Sequence, residues 1–369
     1  MDKESAQKKK VIYVCDDLML GGWTSIVAMI LEMRKRGYLV SVVTLFGKGY
    51  YSDLLEKDGV KVECLYLTKL NLPFKLLKLF LILKKEKPDV VHTNLHYSDT
   101  FGILCAYAAG VEKRIIHIHS IREKYRHPLQ TLKKIVMSKV SKAIAVSHAA
   151  SEDFKRDNPA FAAEIEVIPN GINICEFRRR FSESKMRKKD FRLSENTFTV
   201  LTVANFKWQK GYEYLVEAAE IIGEGVHFLV AGYGPEEGKI KKMVAERKLD
   251  GKLTFLGART DVPEIMKVAD AFLLPSVVEP FGICIVEAFS VGMPVMASAV
   301  DGVKEISRHM VNAILVEPAN PEQISDAIKR LRSEEKLRQT LKGNAILASE
   351  DFKIEKISDY VQKEYERLD

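Results

Sequence analysis

Short apolar, β-branched runs alternate with stretches of helical periodicity along almost the whole chain, and they do so in two successive series. In the first, strand-like runs occupy Val11 to Cys15, Leu39 to Leu45, Val60 to Leu67, Asp89 to Thr93, Arg114 to His119, Lys142 to Ser147 and Glu166 to Pro169. Helical periodicity fills Ser25 to Arg36, Pro73 to Lys87 and Asp99 to Ala109. Such alternation builds a parallel sheet covered by helices on both faces. The rhythm breaks from Glu176 to Asn196, where Arg and Lys cluster without an apolar period, and this segment reads as a solvated connector. A second series follows, with strands at Phe198 to Ala204, Val226 to Ala231, Leu253 to Leu256, Ala271 to Leu274, Val295 to Ala297 and Ala313 to Val316. The expected organisation is an α/β chain of two doubly wound, Rossmann-like domains, residues 1–190 and 191–352. A C-terminal helix, 353–369, is expected to pack back on the first domain.

Length agrees, since 369 residues at ~150 per domain make about two. A composition of 47% hydrophobic and 29% charged residues excludes disordered and fibrous classes. No uncharged run reaches the ~20 apolar residues of a membrane span, and the opening MDKESAQKKK has no apolar core of a signal peptide, so a cytoplasmic protein is expected. Five scattered cysteines without a C-x-x-C pair predict reduced thiols rather than a zinc or redox site. Charge is uneven: residues 1–192 carry 35 Lys and Arg against 22 Asp and Glu, while the remainder is net acidic. A basic first half suits an anionic partner. With no zinc-finger, RNA-binding or arginine-rich signature, nucleic acid is not that partner.

Two stretches carry chemistry. Gly21-Gly22 lies between the first strand and a helix, where paired glycines either bring backbone N–H groups to a diphosphate or simply make a tight turn. Its spacing is not G-x-G-x-x-G, which argues against a dehydrogenase. Pro275 to Ala288 places Glu279 and Glu287 eight apart, the first in a loop and the second inside a helix, with Gly282 at the transition. A glutamate buried among Ile, Val and Ala requires hydrogen-bond donors; a ribose diol supplies them, as does an internal cap or salt bridge.

These pieces resemble the retaining glycosyltransferases of family 4, whose fold is GT-B, two Rossmann-like domains facing across a cleft. The resemblance rests on E-x7-E followed by Gly292-Met293-Pro294-Val295, on Pro169-Asn170-Gly171, Gln209-Lys210-Gly211, Gly232 to Pro235 and Phe255 to Thr260, in order over residues 11 to 330. It implies a nucleoside diphosphate sugar as donor. Glu287 would hold the donor ribose and Glu279 the transferred sugar, while backbone N–H groups around Phe281, Gly282 and Ile283 would hold sugar and phosphate. Lys210 would pair with the diphosphate, Gly22 would approach it from the first domain, and Arg259 would lie near the nucleobase. His119, at the end of RIIHIH, resembles the histidine beside the transferred sugar; a strand-end histidine satisfied by its neighbours is the alternative. Glu279, Lys210 and His119 are thus the catalytic candidates.

The chain departs from the family where Ala204-Asn205-Phe206 replaces Gly-Arg-Leu, leaving Asn205 as a neutral donor in place of a cation. His92 and His96 flank Asn94, which stands where a second histidine is common, and neither is assigned a role. No D-x-D occurs, so no metal site and no cofactor beyond the donor substrate are expected; charge on the leaving group falls to Lys210 and to loop and helix amides. The implied activity is a metal-independent retaining hexosyltransferase acting on a glycan or lipid-linked acceptor in surface polysaccharide assembly. Competing readings are a two-domain sugar-binding module and a nucleotide-sugar epimerase or phosphorolytic enzyme on the same fold. Finally, Lys69 to Lys87 is an apolar helix flanked by lysines. It reads either as a core helix with a lysine-coated outer face or, together with Arg122, Lys124, Arg126, Lys133 and Lys134, as a peripheral contact with an anionic membrane.

Overall fold

The computed structural model describes residues 9–19, 22–121 and 130–367. In the first sheet the strands are β1 (Lys10–Cys15), β2 (Leu39–Thr44), β3 (Lys61–Cys64), β4 (Val90–Asn94), β5 (Lys113–Ile118), β6 (Lys142–Ala145) and β7 (Ile165–Val167), all parallel in the order β3-β2-β1-β4-β5-β6-β7. The second sheet holds β8 (Phe198–Val203), β9 (Val226–Ala231), β10 (Leu253–Gly257), β11 (Ala271–Leu274), β12 (Val295–Ser298) and β13 (Ile314–Val316), parallel in the order β10-β9-β8-β11-β12-β13. Central strands such as β1 and β9 are buried along nearly their whole length, which is why they are continuous apolar runs rather than alternating ones. Each sheet reverses its winding once, between β1 and β4 and between β8 and β11. Ligands of open parallel sheets collect outside the carboxyl ends of strands at such a reversal. Among the described residues no helix is long and apolar enough to cross a membrane.

The chain divides into two compact units, one running to Gly171 and resuming at Ile354, the other spanning Ile172–Lys353. This differs from the expected boundary at 190/191. The 176–196 segment is not a solvated connector: it forms the helix Ile174–Glu183 and a 3₁₀ turn at Lys188–Phe191. Its cations anchor it to the second unit. Arg180 grips Glu264 through two 2.8 Å contacts, Arg178 donates to the Ser290 carbonyl at 2.7 Å, and Lys188 meets Asp270 at 2.7 Å. An element held largely by ion pairs need not show a strong apolar period, and so it looks like linker in the sequence.

The C-terminal helix, Ile354–Glu366, belongs to the first unit. Ile354, Ile357, Val361 and Tyr365 are buried against the helix Thr24–Lys35 and one face of the sheet. Its entry is tight: a Cβ on Gly171 would lie 2.9 Å from the Ile357 side chain. Arg36 bonds Asp359 at 2.6 Å, and the buried Lys142 pairs with Glu364 at 2.9 Å.

Beneath this helix runs a polar column. Tyr365 places its hydroxyl 2.6 Å from His92 Nδ1 and 2.9 Å from the Tyr13 hydroxyl. The His92 ring stacks between Tyr13 and His117, and His117 stacks in turn on His119, 4.1 Å between centroids. Neither nitrogen of His117 has a hydrogen-bond partner among the described residues. Burial drives all three imidazoles toward the neutral form, His92 and His119 to about 3 and His117 well below its usual value, the neighbouring histidines adding to the effect at His92 and His117. In an unfolded chain these groups protonate near about pH 6.5. Below that pH the unfolded state binds more protons than the folded one, so this contribution to stability, complete above about pH 6.5, is lost progressively as pH falls toward 3. Thermal unfolding midpoints should drop between neutral pH and about pH 5, and His117→Phe should flatten that drop. An equal slope in the variant would show that His117 is not held neutral by burial.

Candidate active site

In the second unit, the loops leaving β8 and β11 are joined by their backbones. Val277 N–H donates to the Gln209 carbonyl at 2.8 Å, and Gly211 lies directly against Pro275, whose carbonyl would be 2.2 Å from any Cβ there. Gly211 also sits at φ +61°, so both space and conformation call for glycine. The consequence is local and electrostatic. Lys210, at the end of the 3₁₀ turn Trp208–Lys210, brings its ammonium 2.6 Å from Glu279 Oε2. Burial disfavours the charge on Lys210, but the Glu279 carboxylate outweighs it and holds the ammonium above its usual range.

Glu279 is further fixed on all sides. Ser276 Oγ donates to its carboxylate at 3.2 Å, its own N–H reaches Asp301 at 3.3 Å, and its carbonyl accepts from Gly302 N–H at 3.1 Å. Gly302 again permits close passage, since a Cβ would stand 2.0 Å from the Pro280 carbonyl. Three residues beyond Glu279, Gly282 adopts φ +92° and opens the helix Ile283–Ser290 without a side-chain cap. Uncapped first-turn N–H groups carry the positive end of the helix dipole and suit an anion. Phe281 is buried, its ring edge-on to Phe352 at 5.7 Å. Glu287 lies one turn on and is 7% exposed, between buried Val286 and Ala288. The Cys284 thiol is pushed up by burial, so it is no nucleophile at neutral pH.

The structure therefore brings Lys210, Glu279, Phe281, Gly282, Ile283 and Glu287 into neighbouring segments at the carboxyl ends of β8 and β11. Asn205 is in the loop after β8, half-buried, where its carbonyl accepts from Lys207 N–H at 2.8 Å. Arg259, after β10, is held by Asp261 through contacts of 2.8 and 2.5 Å, so its charge is already matched. Ser276 and Asp301 carry no sequence signal of their own. Ser276 lies three residues before Glu279, at the start of the Pro275 to Ala288 stretch, whereas Asp301 reaches Glu279 only through the fold.

In the first unit, Gly22 precedes the helix Thr24–Lys35 in an exposed turn with open space around its Cα; Gly21 is outside the described residues. His119 follows β5. Its Nε2 stands 3.1 Å from Asn94 Oδ1, so the tautomer with its proton on Nε2 donates to that oxygen. His92 faces Tyr365, and His96 lies 3.0 Å from Lys133 and 3.4 Å from Ser120. The period-2 spacing of His117 and His119 is a legible signal that both share one face.

Comparison with known proteins agrees with this fold. The family description Glycosyltransferase Family 4 matches residues 20–175, and Glycosyl transferases group 1 matches residues 183–347. An Escherichia coli UDP-Gal:alpha-D-GlcNAc-diphosphoundecaprenol alpha-1,3-galactosyltransferase is 25% identical over 86% of this chain and 85% of its own length. A Campylobacter jejuni N,N'-diacetylbacillosaminyl-diphospho-undecaprenol alpha-1,3-N-acetylgalactosaminyltransferase is 27% identical over 86% and 89%. In fold, the chain is similar to Anabaena Alr3699/HepE, solved in complex with UDP-glucose, with a TM-score of 0.85 at 22% identity, covering 97% of this chain and 99% of that one. Two parallel sheets of GT-B type, matched by two family descriptions that between them span most of the sequence, place this chain among the group 1, family 4 glycosyltransferases.

Proposed function

We propose that this glycosyltransferase moves a hexose-type sugar, with retention of anomeric configuration, from a nucleoside diphosphate sugar to a glycan or lipid-linked acceptor in surface polysaccharide assembly. The observation that carries the reading is the Lys210–Glu279 pair, 2.6 Å apart, in which Glu279 lies three residues before Gly282 at the uncapped start of the Ile283–Ser290 helix. Cleavage of the donor leaves growing negative charge on a diphosphate, and preorganised donors aimed at that charge lower the barrier most. Lys210 and the N–H groups of Phe281, Gly282 and Ile283 are assigned to it, with Gly22 and Asn205 as neutral backbone and side-chain donors.

Glu287 is assigned to the ribose diol and Arg259 to the neighbourhood of the base. Glu279 orients the transferred sugar and, by pairing with Lys210, sets where the cation waits. His119 is assigned to the sugar as a neutral imidazole. In this reading the acceptor oxygen attacks the anomeric carbon from the face the diphosphate leaves, the C–O bond to the diphosphate breaks, and a diphosphate oxygen takes the acceptor proton. The second unit binds the donor and the first the acceptor. The Escherichia coli and Campylobacter jejuni relatives, both named for undecaprenol-linked diphosphates, support a lipid-linked acceptor, and with it peripheral work at the inner face of the cytoplasmic membrane.

Calorimetry separates the roles. Glu287→Ala should weaken nucleoside diphosphate binding by about 1.5–3 kcal/mol. Glu279→Gln should leave that affinity within about twofold while lowering kcat by roughly tenfold or more, because its contact matters most in the transition state. Unchanged affinity in folded Glu287→Ala, or parallel losses of affinity and turnover in Glu279→Gln, would overturn the assignments.

Chelation checks the charge balance. Since the sequence has no D-x-D, turnover should survive excess EDTA, and Lys210→Met should cost on the order of 10²-fold in kcat. Activity lost to EDTA and restored by magnesium or manganese would show that a metal ion shares the charge-stabilising role of Lys210.

A further inference from the structure

The helix Leu72–Glu86 buries fully only Leu79 and Leu83, with Leu72, Leu76, Phe80 and Ile82 partly covered in the same cluster. The opposite face is not the lysine coat that a simple core helix would carry. Phe74, Leu77 and Leu81 are 75%, 54% and 54% exposed, and Leu70, just before the helix, is 94% exposed. Their spacing of four, three and four residues lines them up along one side of the helix. Leu70 is presented by a fixed turn: Thr68 N–H donates to Asn71 Oδ1 at 2.7 Å, and the Asn71 amide donates back to the Tyr66 carbonyl at 2.9 Å.

Around this stripe the charge is of one sign. Lys69, Lys84, Lys85 and Lys87 are exposed and Lys75 is half-buried, and none has an ion-pair partner among the described residues. Lys78 is occupied by Glu63 at 2.9 Å. Glu86, the only acid of the segment, is turned to Lys10 at 3.0 Å and Lys61 at 3.7 Å, with Lys85 the one collar lysine that acts on it. Contiguous exposed apolar surface is unusual on a monomer and marks a contact. A second copy would press two lysine collars together, whereas a bilayer with anionic headgroups accepts the apolar stripe and the cations at once.

We propose that this face docks the first unit on an anionic bilayer, with Leu70, Phe74, Leu77 and Leu81 entering the headgroup boundary and Lys69, Lys75, Lys84, Lys85 and Lys87 binding lipid phosphates. It deepens the membrane reading above by naming the surface, and it rests on that reading for its purpose alone. Of the other cations considered from sequence, Arg122, Lys124 and Arg126 lie outside the described residues. Lys133 meets His96 at 3.0 Å.

Sedimentation with vesicles of phosphatidylcholine and phosphatidylglycerol, free of donor and acceptor, tests it on the full chain. The protein should bind these vesicles and not pure phosphatidylcholine, and added salt should weaken binding without abolishing it. Phe74→Ser/Leu77→Ser/Leu81→Ser keeps the net charge and should lower partitioning by roughly tenfold or more, with circular dichroism and nucleotide affinity unchanged. Lys84→Glu/Lys85→Glu/Lys87→Glu should remove most of the salt-sensitive part. No binding at low salt, or triple-serine binding equal to the parent, overturns the proposal. So does a concentration-dependent dimer, seen by analytical ultracentrifugation, that the serine variant abolishes. Donor turnover plays no part in these assays, so failure of the proposed reaction would leave their outcome standing.

Discussion

A carboxylate with almost no contact with water must find a cation or lose its charge, and the second unit is arranged around that requirement at Glu279. The Lys210–Glu279 contact depends on Gly211 lying under the Pro275 carbonyl and on Gln209 accepting from Val277. Together these hold the loop after β8 against the loop after β11. The loop after β11 then passes over Gly302 and enters the Ile283–Ser290 helix at Gly282, so the two joined loops together present a cation, a carboxylate and uncapped N–H groups. Loops on a rigid sheet give function, and in this site the rigidity comes from backbone packed on backbone.

In the first unit the comparable constraint is a column of rings. Tyr13, His92, His117 and His119 stack across neighbouring strands, and Tyr365 from the end of the chain closes the column by bonding to both Tyr13 and His92. His119 is thereby held neutral and aimed by Asn94, while the C-terminal helix is tied to the sheet it covers. Polar groups so deeply buried specify one arrangement when they are satisfied, and among the described residues that satisfaction is incomplete at both nitrogens of His117 and at His92 Nε2.

Much of this is legible before the fold. Buried parallel strands announce themselves as continuous apolar runs, and β9 and β11 fall where the runs at Val226 to Ala231 and Ala271 to Leu274 lie. The E-x7-E stretch marks its loop and helix because a loop glutamate, a glycine and a buried helical glutamate follow each other in sequence. The helix Ile174–Glu183 escapes a reading by periodicity since Arg178 and Arg180 anchor it through polar partners more than eighty residues away. The outer face of Leu72–Glu86 is ambiguous for a related reason: a helix rich in Leu all round does not declare which leucines the sheet leaves uncovered.

By itself the sequence determined the two α/β series, the family resemblance and the identity of the residues around Glu279, because these depend on periodicity and short-range order. Only the tertiary structure decided that Lys210 is neutralised by Glu279, that Arg259 is already occupied by Asp261, that Tyr365 completes a histidine column, and that Leu70, Phe74, Leu77 and Leu81 face outward. Each of these is a matter of which groups meet, or fail to meet, through folding. A pattern along the chain records what a residue can do, while burial and partnership are set by elements distant in sequence that converge on it.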